Sequence, residues 1–322
     1  MSEKPPFISV VVPTCDRQVP LIKCIESIRA NNYPEYEIII VDQSSKDGLA
    51  GQIRTLFNND QKIIYLNSDV KCSSDSRNRG WQKAKGEIIA FTDDDAMVGE
   101  RWLEAYAEAF NQGDPNVGMV GGRVEPVFEI PRPGWLPPEK DYLLPSFDAG
   151  QEVKPFPKES LPMGVNFALK RSALKESGGF DTRLGLKSGS KNPYIGGEDS
   201  FLSMRVKAAG YLILYQPSAL VYHPVPPRRL TRRFFLRRNF REGITTIALE
   251  DLKAPLTSQR LWADIKWHSK RITFYFYLFC RDWILRKKGS SAYMLRASEI
   301  AFSAGIVRQS MYLKRILENK EK

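Results

Sequence analysis

Over the first ninety residues, apolar positions fall into short β-branched runs separated by stretches with a helical period. Ile8–Val12 (ISVVV), Tyr36–Val41 (YEIIIV), Lys62–Leu66 (KIIYL) and Ile88–Thr92 (IIAFT) are apolar runs of strand length without in-out alternation. Such runs belong to strands buried on both faces. Between them, Leu21, Ile22, Ile25 and Ile28 recur at helical spacing. A second helix is expected around Ile53–Phe57, after the polar turn QSSKDG, and a third over Ser74–Lys85 with Ser73 or Ser74 as its N-cap. Strand and helix in strict alternation predict a parallel α/β sheet covered on both faces.

Beyond this the pattern loosens. Gly118–Val127 is a further strand candidate, and Pro126–Pro162 (with PRPGW, LPP and FPKESLP) is expected to be an ordered, irregular excursion. Regular pattern resumes at Val165–Lys170. Glu198–Ala209 reads as a helix closed by Gly210, and LILY and ALVYH read as two strands. From Pro224 onward the chain is basic, aromatic and helical in character, so a boundary is placed near Pro224–Pro227.

Composition is that of an ordered globular protein, with 42% hydrophobic and 26% charged residues in 322. Cys15, Cys24, Cys72 and Cys280 are scattered and read as reduced thiols in a cytoplasmic chain. No signal peptide and no apolar segment of spanning length is visible. The net charge of +11 is uneven: Pro224 to the end carries 22 Lys+Arg against 8 Asp+Glu, leaving 26 against 29 before it. A near-neutral front suits catalysis, and a basic back suits an anionic partner.

In parallel sheets ligands bind outside the carboxyl ends of the strands. Three polar clusters fall there: Thr14-Cys15-Asp16-Arg17, Asp42-Gln43-Ser44-Ser45 and Asp93-Asp94-Asp95. Three adjacent carboxylates repel one another, whereas a hard divalent cation shared with substrate phosphates holds them together. Gly196-Gly197-Glu198-Asp199 opens a helix with two carboxylates, either favouring the helix dipole or supplying a general base. His223, one of two histidines, stands at a strand end where a neutral imidazole can ligate a metal or simply pack. His268 lies in the basic tail and receives no catalytic role.

Taken in order, PTCDR (13–17), IIIVDQSSKDG (38–48), SRNRG (76–80), FTDDDA (91–96), GVNFALKRSAL…GGFD (164–181), GGEDSFLSMR…AGY (196–211) and VYH (221–223) closely resemble the family 2 glycosyltransferases of the GT-A fold, over residues 7–225. The resemblance implies a Rossmann-like α/β sheet, mixed and mainly parallel, with a nucleotide-sugar half over 1–125, an acceptor half over 126–225 and a helical extension over 226–322. It implies an inverting, metal-dependent hexosyltransferase-type enzyme using Mn2+ or Mg2+ and a nucleotide-sugar donor, with UDP expected. Carried over by position, Pro13, Thr14, Arg17, Asp42 (near the base), Arg77, Asp93 and Asp94 would meet the donor nucleotide, with Asp93 facing the ribose or the metal. Asp95 and His223 would ligate the metal, Asp199 would be the base, and Glu198 would place the acceptor. Two positions depart from the family pattern: Gln43 replaces a second acid after Asp42, and Asp16 replaces an Asn.

In the tail, Arg228–Arg241 mixes seven arginines with Leu and Phe without a clean helical period. Ile272–Leu285 (ITFYFYLFCRDWIL) is aromatic and apolar nearly all round, flanked by Lys270-Arg271 and Arg286-Lys287-Lys288. Either it packs on the catalytic part or it rests on an anionic membrane surface. The second is favoured, since a glycan or polyprenyl-phosphate-linked acceptor at the inner face of the plasma membrane would explain a basic patch without a spanning helix. No nucleic-acid motif accompanies the charge. A nucleotidyltransferase on a related fold would carry a glycine-rich loop after the first strand, which PTCDRQVP lacks. A catalytically inactive lipid- or nucleic-acid-binding module would not be expected to keep Asp93, Asp95, Asp199 and His223 together.

Overall fold

The computed structural model describes residues 5–44, 48–57, 60–111, 114–185, 195–285 and 290–320. Ser45 and the run Arg286-Lys287-Lys288 lie outside the described residues. The chain packs as two compact units, Met1–Val127 with Pro145–Pro193 and Glu198–Pro224, and Phe128–Leu144 with Tyr194–Gly197 and Val225–Lys322.

In the first unit the four apolar runs become β1 (Ile8–Thr14), β2 (Tyr36–Asp42), β3 (Ile63–Asn67) and β4 (Ile88–Phe91). The helices between them are α1 (Gln18–Arg29), α2 (Gly48–Leu56) and α3 (Ser73–Lys83). The remaining elements of the catalytic sheet are β5 (Met97–Val98), α4 (Trp102–Asn111), β6 (Val117–Phe128), β7 (Lys154–Pro155), β8 (Phe167–Lys170), α5 (Arg171–Glu176), α6 (Glu198–Ala208) and β9 (Leu212–Val225). Strand order is β3-β2-β1-β4-β8-β6-β9-β5, with β7 on β9. The first four strands pair in parallel, whereas β8 meets β4 and β6 antiparallel, as β5 and β7 meet β9.

Alternate residues of the parallel strands feed two cores. Val10, Val12, Ile38 and Ile40 pack with Leu21, Ile25 and Ile28 of α1 and Trp102 and Tyr106 of α4. Val11, Ile39 and Val41 pack on the other face with Phe91, Phe167, Leu202 and Val206. Each such fully buried side chain contributes about 1.5–3 kcal/mol, which locks the register that levels the strand ends: Thr14 pairs with Asp42, and Asp42 with Asn67.

Three local expectations change. The N-cap of α3 is Cys72, with no side-chain capping bond. Ser73 and Ser74 are drawn off to other partners, Glu198 Oε1 (3.1 Å) and the Leu184 carbonyl (2.8 Å). LILY and ALVYH belong to one strand, β9, whose pattern breaks where the in-out alternation slips at Tyr215 and Gln216, both buried, and the Gln216 side chain accepts the Ser218 amide (3.3 Å). The proline-rich excursion is not wholly irregular, since it contains a 3-10 turn at Pro138–Leu143 and the short β7.

In the second unit three long helices, α7 (Arg232–Lys253), α8 (Ser258–Ile284) and α9 (Ser291–Lys320), form a bundle. Thr231 and Thr257 cap α7 and α8 by accepting the Phe234 and Arg260 amides. Gly243 and Gly305 let α7 and α9 touch backbone to backbone, as a Cβ on either would lie 2.0 Å from a carbonyl of the other helix. Ile247, Leu261 and Ile306 form one small core; Leu136, Val225, Leu230, Phe235 and Met294 form another. Among the described residues no helix is long and apolar enough to cross a membrane.

Candidate active site

The site lies at the carboxyl ends of β1, β2 and β4, where the sheet stops and polar residues begin. Just past β1, Asp16 adopts φ +54, a left-handed conformation that Asp and Asn tolerate better than other side chains. The departure from Asn at this position therefore preserves the turn, and the Asp16 amide donates to Ser44 Oγ (2.7 Å). Pro13 and Thr14 end β1, and Thr14 Oγ1 donates to Asp94 Oδ2 (2.7 Å). Arg17 spans two acids, with Nη1 on Asp94 Oδ1 and Nη2 on Asp95 Oδ2, each at 2.7 Å.

Asp42, buried at the end of β2, accepts the Ser44 amide (2.8 Å), the Ser44 hydroxyl and the Tyr65 hydroxyl. Burial, followed by the bond to Asp42, pushes the Tyr65 phenol well up. The other departure, Gln43, turns its amide to Ser76 Oγ and the Cys72 carbonyl (3.4 Å), tying this strand end to the start of α3.

Beyond β4 the three aspartates take different partners. Asp94 is buried, and burial pushes its carboxyl up to about 6, against the Thr14 hydrogen bond and the Arg17 charge, which both lower it. Asp93 Oδ1 accepts from Arg77 Nη2 (3.0 Å). Asp95 Oδ1 faces His223 Nε2 at 3.5 Å. His223 is buried on β9, and its Nδ1 lies 2.9 Å from the Pro224 carbonyl. A carbonyl only accepts, so Nδ1 donates to it, and Nε2 is the ring nitrogen turned toward Asp95. One donor atom each from Asp93, Asp95 and His223 lie within 4.8 Å of one another. Two carboxylate oxygens and an imidazole nitrogen, oriented by a backbone carbonyl, are a donor set that fits a divalent cation.

The carboxylate pair sits at the start of α6, set there by Gly197 at φ +84, a conformation that favours glycine. Glu198 accepts from Arg77 Nη1 (2.7 Å) and Ser73 (3.1 Å). Arg77 is buried on α3 and so bridges Asp93 to Glu198. Burial alone would lower its pKa, but Asp93 and Glu198 outweigh burial and hold the guanidinium charged. Asp199 lies against Gly164 and accepts the Ser200 amide (2.8 Å). Burial, then the Glu198 charge, pushes its carboxyl up to about 6, opposed by Arg77 and the backbone hydrogen bonds.

Thus Thr14, Arg17, Arg77, Asp93, Asp94, Asp95, Glu198, Asp199 and His223 form one connected cluster, with Asp42 and Pro13 on adjoining strand ends. His268 is in the second unit, against Ser303 (3.3 Å). Three contributors had no assigned role from sequence: Ser73, Tyr65 and Gly164. Gly164 lay within a quoted motif, which was the available signal; Ser73 was read only as a cap, and Tyr65 as a strand residue.

The chain is similar to several known proteins. Glycosyltransferase AglE of Haloferax volcanii is 28% identical over 232 residues, 70% of each chain. The glucosyl-dolichyl phosphate glucuronosyltransferase of the same organism is 26% identical over 267 residues, 80% of this chain and 82% of that one. Among solved structures, mannosyltransferase PcManGT from Pyrobaculum calidifontis in complex with GDP-Man and Mn2+ is similar with a TM-score of 0.59 at 18% identity, covering 95% of this chain and 88% of its own. That likeness establishes the α/β GT-A fold. The profile of glycosyl transferase family 2 matches residues 9–178, more than half of the 322 and inclusive of the acidic triplet, and the chain belongs to that family.

Proposed function

We propose that this glycosyltransferase is inverting and metal-dependent, and moves a sugar from a nucleotide-diphosphate sugar, with UDP as the expected nucleotide, to a hydroxyl of a glycan or lipid-linked acceptor. The observation that carries the reading is the joining of Asp93, Asp95 and His223, through Arg77 and Glu198, to the neighbouring half-buried carboxyl of Asp199. Residues 1–125 bind the donor and 126–225 shape the acceptor side in this reading.

Asp199 is the general base. Its carboxyl, pushed up to about 6, is a stronger base than an ordinary aspartate yet still ionised at neutral pH. It takes the proton of the acceptor hydroxyl as that oxygen forms a bond to the anomeric carbon and the bond to the diphosphate breaks. One displacement inverts the configuration. Glu198 and Arg77 hold the base in place, Arg17 meets the departing diphosphate, and Thr14, Asp42 and Pro13 line the nucleoside side. Asp93, Asp95 and His223 would hold Mn2+ or Mg2+, which when bound supplies positive charge to the leaving diphosphate.

The lipid-linked acceptor draws support from the relative named for glucosyl-dolichyl phosphate. A role in cell-surface glycan assembly at the inner face of the plasma membrane belongs to the same proposal. The test is nucleoside diphosphate release from a panel of UDP-, GDP- and dTDP-sugars with Mn2+ or Mg2+, with the product anomer read by NMR. Release that continues unchanged in Asp95→Ala and Asp199→Ala, or a retained anomer, overturns the reading.

A further inference from the structure

Helix α8 turns a row of large apolar side chains outward. Its 27 residues make a rod about 40 Å long. The stripe that faces the bundle mixes the apolar Leu261, Ile272 and Phe279 with the polar His268, Arg271 and Asp282. Arg271 donates to Glu299 (2.7 Å), His268 meets Ser303, and Asp282, almost fully buried, pairs with Arg296. The opposite stripe, which a solvated helix fills with polar side chains, holds Trp267, Phe274, Tyr277 and Ile284 at spacings of 7, 3 and 7 residues. Trp267 is 61% exposed, Tyr277 65% and Ile284 70%. Three cations, Lys266, Lys270 and Arg281, lie exposed on that same side.

Scattered apolar side chains on a surface need no explanation, but a run of large ones along a single helix face marks an interaction site. What covers the face follows from its chemistry. Aromatic rings with a wet end, aliphatic side chains and flanking cations that extend along the helix suit the boundary between headgroups and acyl chains. The basic excess after Pro224 is complementary to anionic lipid.

We propose that the outer face of α8 lies in the plane of an anionic lipid bilayer, with Phe274, Tyr277 and Ile284 below the headgroups and Lys266, Lys270 and Arg281 among the phosphates. This deepens the membrane part of the proposed function and does not rest on the transfer chemistry. It names the element that carries the contact and fixes the depth of individual side chains.

Flotation of the full chain with vesicles tests it, using phosphatidylcholine alone against phosphatidylcholine with 30% phosphatidylglycerol. Expected is binding to the anionic vesicles that weakens with salt, with tryptophan emission quenched by brominated acyl chains. Phe274→Ser/Tyr277→Ser/Ile284→Ser lowers the partition coefficient more than tenfold. Lys266→Gln/Lys270→Gln/Arg281→Gln lowers it on the order of a hundredfold on anionic vesicles, removing most of the salt dependence. All substituted positions are exposed, and unchanged far-UV circular dichroism confirms folding. Nucleoside diphosphate release from donor in detergent-free buffer, measured in parallel, separates this proposal from the enzymatic one. Absence of vesicle binding, binding unaffected by either variant, or a concentration-dependent dimer abolished by the apolar variant without lipid binding each overturns the proposal, the last in favour of a second copy of the chain.

Discussion

Replacing Arg77 with Met removes the cation that touches both Asp93 and Glu198. The side chains of Arg77 and Glu198 are only 6% and 10% exposed, and their contact is 2.7 Å. Removing one partner of a buried pair costs about 3–5 kcal/mol, because the other charge stays desolvated without compensation. Here the orphaned group is Glu198, with Asp93 losing a 3.0 Å contact and Asp199 losing a favourable charge. The loss is measured by urea denaturation followed by tryptophan fluorescence, with Trp81 and the fully buried Trp102 reporting on the catalytic unit. Its pH dependence carries a definite sign. Asp199 titrates at about 6 in the fold against about 3.9 unfolded, so the folded state holds its proton more tightly. That contribution is whole below pH 4 and is lost as pH rises through 6. Arg77 lowers the folded value, so its removal raises it further and the deficit of Arg77→Met grows from pH 5.5 to pH 8. A second substitution, Glu198→Gln, removes the orphaned charge, and the double variant is more stable than the sum of the single losses by about 1–3 kcal/mol. A loss below about 1 kcal/mol at pH 8, a deficit indifferent to pH, or strict additivity in the cycle would refute the reasoning.

Further outcomes follow from the same geometry. With Asp199 as base, kcat/KM rises with pH at unit slope below about 6 and levels above it; Asp199→Asn loses about 100- to 10,000-fold in kcat with the donor KM little changed, and a flat profile in wild type would contradict the assignment. Calorimetric titration with Mn2+ in the presence of nucleoside diphosphate is expected to show one site that Asp95→Ala and His223→Ala each weaken more than tenfold, and EDTA is expected to abolish sugar transfer; activity unaffected by EDTA would refute metal dependence. Asn166→Leu leaves four groups unpaired, since Asn166 accepts from Trp102 (2.8 Å) and Tyr106 (2.7 Å) and donates to the Arg123 and Ala219 carbonyls (2.7 Å each). At about 1–3 kcal/mol per stranded group, a loss above about 3 kcal/mol in urea is expected, and a loss under 1 would show that water replaces the side chain.

The parallel half of the sheet was legible because strands covered on both faces must be apolar throughout, and ISVVV, YEIIIV and IIAFT leave no other reading. Legibility of the strand-end clusters followed from topology, since polar residues right after buried strands have nowhere else to go. The partners of Arg77 were not legible: Glu198 lies 121 residues away and Asp93 lies 16, and no local period links them. Arg77 was expected beside the nucleotide, and its two terminal guanidinium nitrogens hold Glu198 and Asp93. Asn166 was missed although a lone amide inside VNFAL is a signal, because a buried polar side chain in a strand needs partners. The tail failed in another way. Periodicity over Ile272–Leu285 showed aromatics nearly all round, and only the pairing of Arg271 and Asp282 with residues of α9 reveals which side turns outward.

The charge balance of the cluster ties these residues to one another. Asp93, Asp94, Asp95, Glu198 and Asp199 are five carboxyls served by two guanidinium groups, Arg17 and Arg77. The two arginines divide the work by burial. Arg77, 6% exposed, has no access to water as an alternative partner and so serves as fixed scaffold between α3, the strand-end acids and the start of α6. Arg17, 38% exposed at its side chain, can exchange its acids for solvent or for an incoming anion at small cost. Burial, ahead of the neighbouring carboxylates, pushes Asp94 and Asp199 up to about 6. Both are still ionised at neutral pH, so the cluster holds more negative charge than its own cations offset. On the proposed reading, that surplus makes binding of an anionic diphosphate conditional on added positive charge.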